Sequence, residues 1–372
     1  MKPGILAIGD QIFRGNLFGA DWTPETTERS SFGEVVFNTS MTGYQEVLTD
    51  PSYAGQMIVF TAAHIGNTGA NREDLESTKI FAKGAIIGQY TEKPSNFRSQ
   101  FTLDQFLKEQ KAVGLYGVDT RAVTLFLRSQ GVVAGMILPA SEEKNLEQWK
   151  QKWLNIDYGA TDWIKVVSTR EPYAFVAKDF EKVAFAGKKH KVVVYDYGVK
   201  RQLLVDLAKR GCELTVVPAD YPAEKVLAMN PDGIFLTNGP GDPKLATYAV
   251  ENVKALLGKK PIFGVCMGHQ VLGMAMGAKT YKLKFGHRGG NQPVKNLEGG
   301  SVEISSHNHG YALDSKTLPP TAKLTHQNLN DECCEGIAVP SMKAFSVQYH
   351  PESSPGPHDS SYLFDQFVKT LS

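Results

Sequence analysis

The stretch Pro261-Ile262-Phe263-Gly264-Val265-Cys266-Met267-Gly268-His269-Gln270 predicts a strand, a tight turn and a helix in quick succession. The apolar run at residues 262–265 is typical of a buried strand, and the apolar residues continuing to Met276 predict a helix. Cys266 falls on the turn between them, flanked by Gly264 and Gly268 at the spacing of a nucleophile elbow. Because the positive end of a helix dipole favours thiolate, we interpret Cys266 as a nucleophile; the alternative is a buried structural cysteine.

A cysteine nucleophile needs a base, and the sequence near the C-terminus offers one. The strand-like run at residues 344–349 leads into His350-Pro351-Glu352. In extended chain, residues two apart point to the same side, so Glu352 can orient the ring of His350. The sequence therefore predicts a triad of Cys266, His350 and Glu352. His269, three residues after Cys266, is the alternative base, but no carboxylate is placed to orient it.

Other histidines and cysteines raise the possibility of a metal site. His307 and His309 lie in a predicted loop, and Cys333 and Cys334 follow later in the chain. Adjacent cysteines on a strand face opposite ways, and this spacing fits no usual zinc pattern. We therefore expect no metal site in this chain.

A third motif follows the predicted strand at residues 232–237. The turn Asn238-Gly239-Pro240-Gly241-Asp242 exposes backbone N–H groups, one of which could stabilise an oxyanion together with the N–H of Met267. The alternatives are a loop without chemistry and a phosphate-binding turn. The second lacks the Gly-Lys-Ser/Thr that a phosphate loop requires.

Strands and helices alternate along the chain from Val192 onward. Predicted strands at residues 192–196, 213–217, 233–237 and 262–265 are separated by predicted helices at 200–210, 223–229 and 244–257. This alternation favours an α/β fold with a doubly wound, mostly parallel sheet. In such sheets the functional site lies beyond the carboxyl ends of the strands, where the Gly239 turn and Cys266 both fall.

Taken together and in this order, the three motifs resemble those of the class I (triad) glutamine amidotransferases. The resemblance implies hydrolysis of the glutamine side-chain amide through a thioester, releasing glutamate and ammonia. It also implies that glutamine is bound by Ser52, Gly239, Gly241, Met267, Gln270, Asn308, Gly310 and Tyr311. For Gln270 the geometry agrees, since it lies one helical turn from Cys266.

The N-terminal part of the chain is similar to the small subunit of carbamoyl-phosphate synthetase. The similarity is carried by residues 33–53, His64-Ile65-Gly66-Asn67-Thr68-Gly69, Ser95-Asn96-Phe97-Arg98 and Gly117-Val118-Asp119-Thr120-Arg121. No catalytic logic emerges from these residues alone. We expect a separate N-terminal α+β domain over residues 1–150 that docks a partner, a linker over 151–190, and the amidotransferase domain over 191–372.

Composition sets outer bounds on function. The 372 residues carry a formal net charge of +1, so nothing indicates a nucleic-acid or anionic-membrane surface. No apolar run approaches membrane-spanning length, and the N-terminus lacks the apolar content of a signal peptide. Four cysteines do not form a disulfide framework in a chain of this length, which suits a reducing cytoplasm.

The resemblance implies the glutaminase subunit of a carbamoyl-phosphate synthetase serving arginine or pyrimidine biosynthesis. The chain has no Walker-type phosphate loop. We therefore expect no cofactor here, and expect ATP and Mg²⁺ to belong to a large synthetase subunit in a heterodimer or a higher assembly. The alternatives are a stand-alone hydrolase of glutamine or a γ-glutamyl bond, and a catalytically silent regulatory or scaffolding subunit.

Overall fold

The computed structural model describes residues 2–23, 26, 31–153, 158–176 and 187–371. The chain forms two compact units. Unit 1 comprises Met1–Thr161 and Lys284–Arg288, and unit 2 comprises Asp162–Leu283 and Gly289–Ser372. The division at residue 161 falls within the predicted linker, of which residues 154–157 and 177–186 lie outside the described part. In the described residues no helix is long and apolar enough to cross a bilayer.

Unit 1 is built on a closed barrel of seven strands. Their order around the barrel is β1-β2-β8-β6-β4-β3-β9, and the strands are β1 (Lys2–Ile8), β2 (Gln11–Gly19), β3 (Phe32–Asn38), β4 (Gln56–Phe60), β6 (Gly84–Ile86), β8 (Val113–Tyr116) and β9 (Val133–Pro139). Two short strands, β5 (His64–Ile65) and β7 (Gln89–Tyr90), pair beside it. The helices of this unit are α1 (Tyr44–Thr49), α2 (Leu103–Glu109), α3 (Thr120–Gln130) and α4 (Leu146–Trp153).

The sequence predicts an α+β domain here but does not predict that the strands close into a barrel. Strands β3, β4, β6 and β8 pair in parallel, whereas β1, β2 and β9 complete the barrel with antiparallel pairs. Both faces of β3 and β4 are buried: Val35 and Met57 pack in one apolar cluster, and Val36 and Ile58 in another. Two-sided burial explains why these strands are continuous apolar runs rather than alternating patterns.

Unit 2 is built on one ten-stranded sheet. Its parallel centre is β12 (Cys212–Pro218), β11 (His190–Asp196), β13 (Gly233–Leu236), β14 (Ile262–Val265) and β19 (Ala344–Val347). The flanking strands are β10 (Tyr173–Ala174) on one side and β18 (Cys334–Val339), β17 (Lys323–Asn328), β15 (Thr280–Asn296) and β16 (Val302–Leu313) on the other. Strands β10, β18, β17 and β15 pair in antiparallel fashion.

The sheet is therefore mixed, and the prediction of a mostly parallel sheet was wrong outside its centre. The strands between residues 280 and 328 are rich in Lys, Asn, Ser and His and lack the apolar runs that marked the earlier strands. A periodicity argument has little to detect in such segments.

Helices cover both faces of the parallel centre, as doubly wound sheets require. The helices of unit 2 are α5 (Trp163–Val167), α6 (Arg201–Lys209), α7 (Ala223–Ala228), α8 (Thr247–Leu256), α9 (Met267–Ala275) and α10 (Tyr362–Thr370). Ile234 and Ile262 pack in one apolar cluster with residues of α7, α8 and α9, whereas Phe235 and Phe263 pack in another with residues of α6 and α10. Because β13, β14 and β19 run parallel, their carboxyl ends meet at one edge of the sheet. The residues that follow each of these strands in the chain lie at that edge.

Candidate active site

Cys266 sits on a strained turn between strand β14 and helix α9. Its backbone has φ 54° and ψ −102°, a conformation that L-residues rarely adopt and that costs about 1–3 kcal/mol. The side chain is almost fully buried. Gly264 and Gly268 make the turn possible, because a Cβ at Gly264 would lie 2.7 Å from the Gly268 carbonyl oxygen and one at Gly268 would lie 2.3 Å from that of Leu236. The structure thus has the elbow that the glycine spacing predicted.

Backbone hydrogen bonds hold the elbow between two parallel strands. The Cys266 N–H donates to the Val347 carbonyl at 2.9 Å, and the Gly268 N–H donates to the Thr237 carbonyl at 2.9 Å. The thiol itself lies 3.6 Å from the Asn308 carbonyl oxygen. Cys266 and the first turn of α9 are therefore fixed relative to the residue after β13, the end of β19 and the middle of β16.

His350 and Glu352 follow strand β19 and form a buried pair. His350 Nδ1 is 2.7 Å from Glu352 Oε1, and the His350 N–H donates to the Ser306 carbonyl. Burial alone lowers the pKa of His350, but the charge of Glu352 and the nearby Cys266 thiol outweigh it and raise the pKa to about 10. Nε2 of His350 has no aligned hydrogen bond among the described side chains. The structure therefore brings Cys266, His350 and Glu352 together.

Lys200 completes this array, and sequence reasoning missed it. Its Nζ lies 2.7 Å from Glu352 Oε1, the same oxygen that His350 contacts, and both side chains are buried. Burial raises the pKa of Glu352, but the charges of Lys200 and His350 outweigh it and lower the pKa to about 2. The sequence did offer one indication of this contact: Lys200 directly precedes helix α6, where the helix dipole disfavours a cation. Such a position indicates that a carboxylate compensates the charge.

The Gly239 turn lies against the elbow, as the order of strands predicts. Gly268 donates to the carbonyl of Thr237, two residues before Gly239. A Cβ at Gly239 would lie 2.2 Å from the Tyr197 carbonyl oxygen, so only glycine fits there, and Gly241 has φ +89°. Met267 is the first residue of α9, where N–H groups have no acceptor within the helix. The Gly239 turn and the start of α9 therefore both adjoin the elbow, and their role as an oxyanion hole stays a prediction.

The residues implied for glutamine binding divide between the two units. In unit 2, the Gln270 amide donates to the Tyr311 carbonyl at 2.7 Å and to Gln348 Oε1 at 3.0 Å. Asn308 is on the same strand as Gly310 and Tyr311, and its carbonyl faces the thiol. Ser52 belongs to unit 1, in a short 3₁₀ turn that Asp50 caps, and its role stays a prediction.

His269, the alternative base, is fully buried and engaged elsewhere. Its Nδ1 lies 2.9 Å from Ser346 Oγ, and Nε2 lies 4.0 Å from Cys334 Sγ. Burial lowers its pKa to about 3, so the ring is neutral at physiological pH. These contacts favour a packing role over a catalytic one.

The remaining candidates for metal binding also have other contacts. His307 Nδ1 lies 3.2 Å from His309 Nε2 and 3.7 Å from Glu335 Oε1, while the outer nitrogens of both rings bond Ser305 Oγ and the Tyr311 carbonyl. Cys333 contacts the Tyr281 hydroxyl and Asp331. The adjacent cysteines thus have different neighbours, and the expectation of no metal site stays a prediction.

Comparison with models of known protein families gives one match in each half of the chain. The model for "Carbamoyl-phosphate synthase small chain, CPSase domain" matches residues 6–137, and that for "Glutamine amidotransferase class-I" matches residues 193–370.

Similar proteins match along the whole chain. The chain is 49% identical to the carbamoyl phosphate synthase small chain of Syntrophotalea carbinolica, a match covering 99% of this chain and 97% of that protein. It is 49% identical to the chloroplastic small chain of Arabidopsis thaliana, with 97% and 83% covered. It is 48% identical to the small chain of Vibrio cholerae, with 100% and 98% covered. Both family models match this chain, and the similarity to known small chains extends over its full length. The chain therefore belongs to the carbamoyl-phosphate synthase small chain family.

Proposed function

We propose that this chain is the glutaminase subunit of a glutamine-dependent carbamoyl-phosphate synthetase. It hydrolyses glutamine to glutamate and ammonia, and passes the ammonia to a large subunit that uses ATP, Mg²⁺ and bicarbonate. The observation that carries the proposal is the strained Cys266 elbow beside the buried array of His350, Glu352 and Lys200. Such an array has the three parts that nucleophilic amide hydrolysis requires: a nucleophile, a base and an orienting group.

In the first half-reaction the thiol proton is already held by His350, which the raised pKa of that ring favours, and the Cys266 sulfur attacks the carboxamide carbon of glutamine. The carbonyl electron pair moves to oxygen, and we assign stabilisation of that oxyanion to the N–H groups of Met267 and Gly239. When the intermediate collapses, His350 returns the proton to the leaving nitrogen, and ammonia departs. A thioester between Cys266 and the glutamyl group remains.

In the second half-reaction His350 accepts a proton from water, and the resulting hydroxide attacks the thioester. Collapse of the new intermediate expels the Cys266 thiolate and yields glutamate. Glu352 supports both steps because it fixes the ring of His350 and stabilises its cationic form. Lys200 supports them indirectly by keeping Glu352 ionised in a buried setting.

Glutamine binding is assigned to Gln270, Asn308, Gly310 and Tyr311 with the Gly239–Gly241 turn, and to Ser52 from unit 1. Two contacts support this assignment: the Asn308 carbonyl oxygen lies 3.6 Å from the Cys266 sulfur, and the Gln270 amide donates to the Tyr311 carbonyl on the same strand as Asn308. No cofactor is needed for these steps, because the groups named hold and move every proton.

The large subunit is inferred from family membership and from chemistry. Ammonia at neutral pH is mostly protonated and non-nucleophilic, which favours direct transfer between subunits in a heterodimer or a larger assembly. We assign partner docking to the N-terminal barrel domain, which hydrolysis alone does not require. A cytoplasmic location and a role in arginine or pyrimidine biosynthesis accompany this proposal. Four unpaired cysteines in the described residues suit a reducing compartment.

Glutamate release tests the proposal. The purified chain should release glutamate from glutamine, faster with the large subunit, ATP and bicarbonate, and carbamoyl phosphate should form in step. Cys266→Ser should abolish glutamate release but leave ammonia-dependent synthesis by the complex intact. Glutamine turnover by Cys266→Ser would refute the triad. Full activity that ignores the large subunit would instead favour a stand-alone hydrolase.

A further inference from the structure

Phe97 is the most exposed of the large apolar side chains in the described part of the chain. Its exposed fraction is 95%, against 77% for Met41, the next in order. A single exposed apolar residue is ordinary on a flexible surface loop. Phe97 differs because the loop that carries it, residues 95–99, is held on both sides of the ring.

Hydrogen bonds and ion pairs fix the residues next to Phe97. The Arg98 guanidinium binds Asp74 at 2.6 Å and Glu73 at 3.0 Å, and the Arg98 N–H donates to Asn96 Oδ1. The Ser95 N–H donates to the Asn67 carbonyl, and the Ser99 N–H donates to the Asn96 carbonyl. The backbone on each side of the ring is therefore constrained while the ring meets solvent.

The loop packs against residues 64–71, which in turn contact residues 42–45; both segments belong to the N-terminal motifs for which the sequence suggested no catalytic role. The Tyr44 hydroxyl donates to the Gly69 carbonyl, and the Gln45 amide bonds the backbone of Asn71 through both its nitrogen and its oxygen. Gly69 packs so closely against the loop that a Cβ there would lie 2.0 Å from Ser99 Oγ. The residues 42–45, 64–71 and 95–99 thus form one assembly that presents Phe97.

We propose that Phe97 is an anchor by which unit 1 docks the ATP-dependent synthetase subunit, entering an apolar socket on that chain. An aromatic side chain on a constrained backbone segment loses little backbone entropy on binding, and buried aromatic anchors dominate many interfaces. The loop belongs to residues 6–137, the region that the small-chain model matches, whereas the hydrolytic residues lie in residues 193–370. This inference rests on the proposed function, because the occupant is its partner subunit.

The test measures binding of the full chain to its cognate large synthetase subunit by surface plasmon resonance. Phe97→Ala should raise Kd at least tenfold, and Phe97→Leu should raise it less because it keeps an apolar side chain. Leu125→Ala is the matched control, since Leu125 is 52% exposed on α3 of the same unit, and its Kd should not change. Glutamate release by the isolated Phe97→Ala chain and its melting temperature should equal those of the wild type.

Each other outcome overturns the inference in a distinct way. If Phe97→Ala binds within twofold of the wild type, Phe97 is no anchor, although the proposed function stands. If the wild type itself fails to bind, both the partner and the anchor are wrong. If Phe97→Ala alone sediments as a smaller species than the wild type, the ring contacts a second copy of this chain.

Discussion

At the residue scale, the site combines local motifs that a sequence can display with one long-range contact that it cannot. Cys266 was predictable because its glycines lie two residues away, and His350 because Glu352 follows it at the same spacing. Lys200 contacts Glu352 across 152 positions of sequence, so only the folded sheet brings them together. A buried ion pair costs desolvation of both charges, which makes its presence beside the nucleophile more informative than a surface pair.

Replacing Lys200 with Met should expose the dependence of the site on this pair. Glu352 would stay buried without its lysine, so we expect glutamate release to fall roughly a hundredfold and the free energy of unfolding to fall by about 3 kcal/mol. In the wild type the pKa of Glu352 is about 2, against 4.5 for an ordinary glutamate, so its stabilisation is complete above pH 4.5 and is lost as the pH falls toward 2. In Lys200→Met the pKa of Glu352 should lie closer to the ordinary value, so the pH interval over which this stabilisation is lost should be narrower.

Kinetics and urea unfolding between pH 2 and 7 measure both effects, and Lys254→Met is the control. Lys254 also pairs with a glutamate, Glu251, but both side chains are largely exposed. That control should change neither activity nor stability noticeably. Wild-type turnover by Lys200→Met would show that Glu352 stays ionised and orients His350 without Lys200.

At the element scale, the elbow depends on how closely α9 approaches the end of β13. The sequence predicted this strand-turn-helix unit because its apolar run is short and its glycines are spaced around the cysteine. The antiparallel strands β15 and β17, and strand β16 beside them, were not predicted, since pairing with other strands, and not their own periodicity, defines them. Yet β16 carries Asn308, Gly310 and Tyr311, which only the family resemblance indicated.

Gly268→Ala should displace helix α9 and disable the elbow. Its new Cβ would meet the Leu236 carbonyl oxygen at 2.3 Å, a contact with backbone that no side-chain rotation can relieve. We expect glutamate release to fall at least a hundredfold and unfolding free energy to fall by about 2–3 kcal/mol. Gly299→Ala is the control, because its Cβ would have no neighbour closer than 3.8 Å. Activity near the wild-type level in Gly268→Ala, measured with its melting temperature, would contradict this account of the elbow.

At the scale of the whole molecule, each compact unit is formed from two separate segments of the chain. The sequence predicts two domains on either side of residues 151–190, because scattered aromatic residues and a basic run replace the regular pattern there. It could not predict that Lys284–Arg288 belongs to unit 1, because that assignment depends on contacts with residues far away in the sequence, such as Thr39 and Val132. Phe285 packs in the apolar cluster of unit 1 and lies 5.8 Å from Phe37, ring centre to ring centre.

Phe285→Ala should therefore destabilise unit 1 although residue 285 follows the nucleophile helix in sequence. Backbone bonds from Val132 to the Lys284 carbonyl and from Thr39 to the Arg288 carbonyl would remain, so the loss should reflect the ring alone. We expect a decrease of about 2 kcal/mol in unfolding free energy, since the ring is only partly buried. Trp22 and Trp149, which contact each other edge-on within unit 1, provide the fluorescence signal for denaturant unfolding. Lys284→Ala, which removes an exposed side chain and keeps the carbonyl, is the control and should unfold like the wild type. If both variants unfold alike, the segment is held to unit 1 by its backbone, and the ring adds nothing.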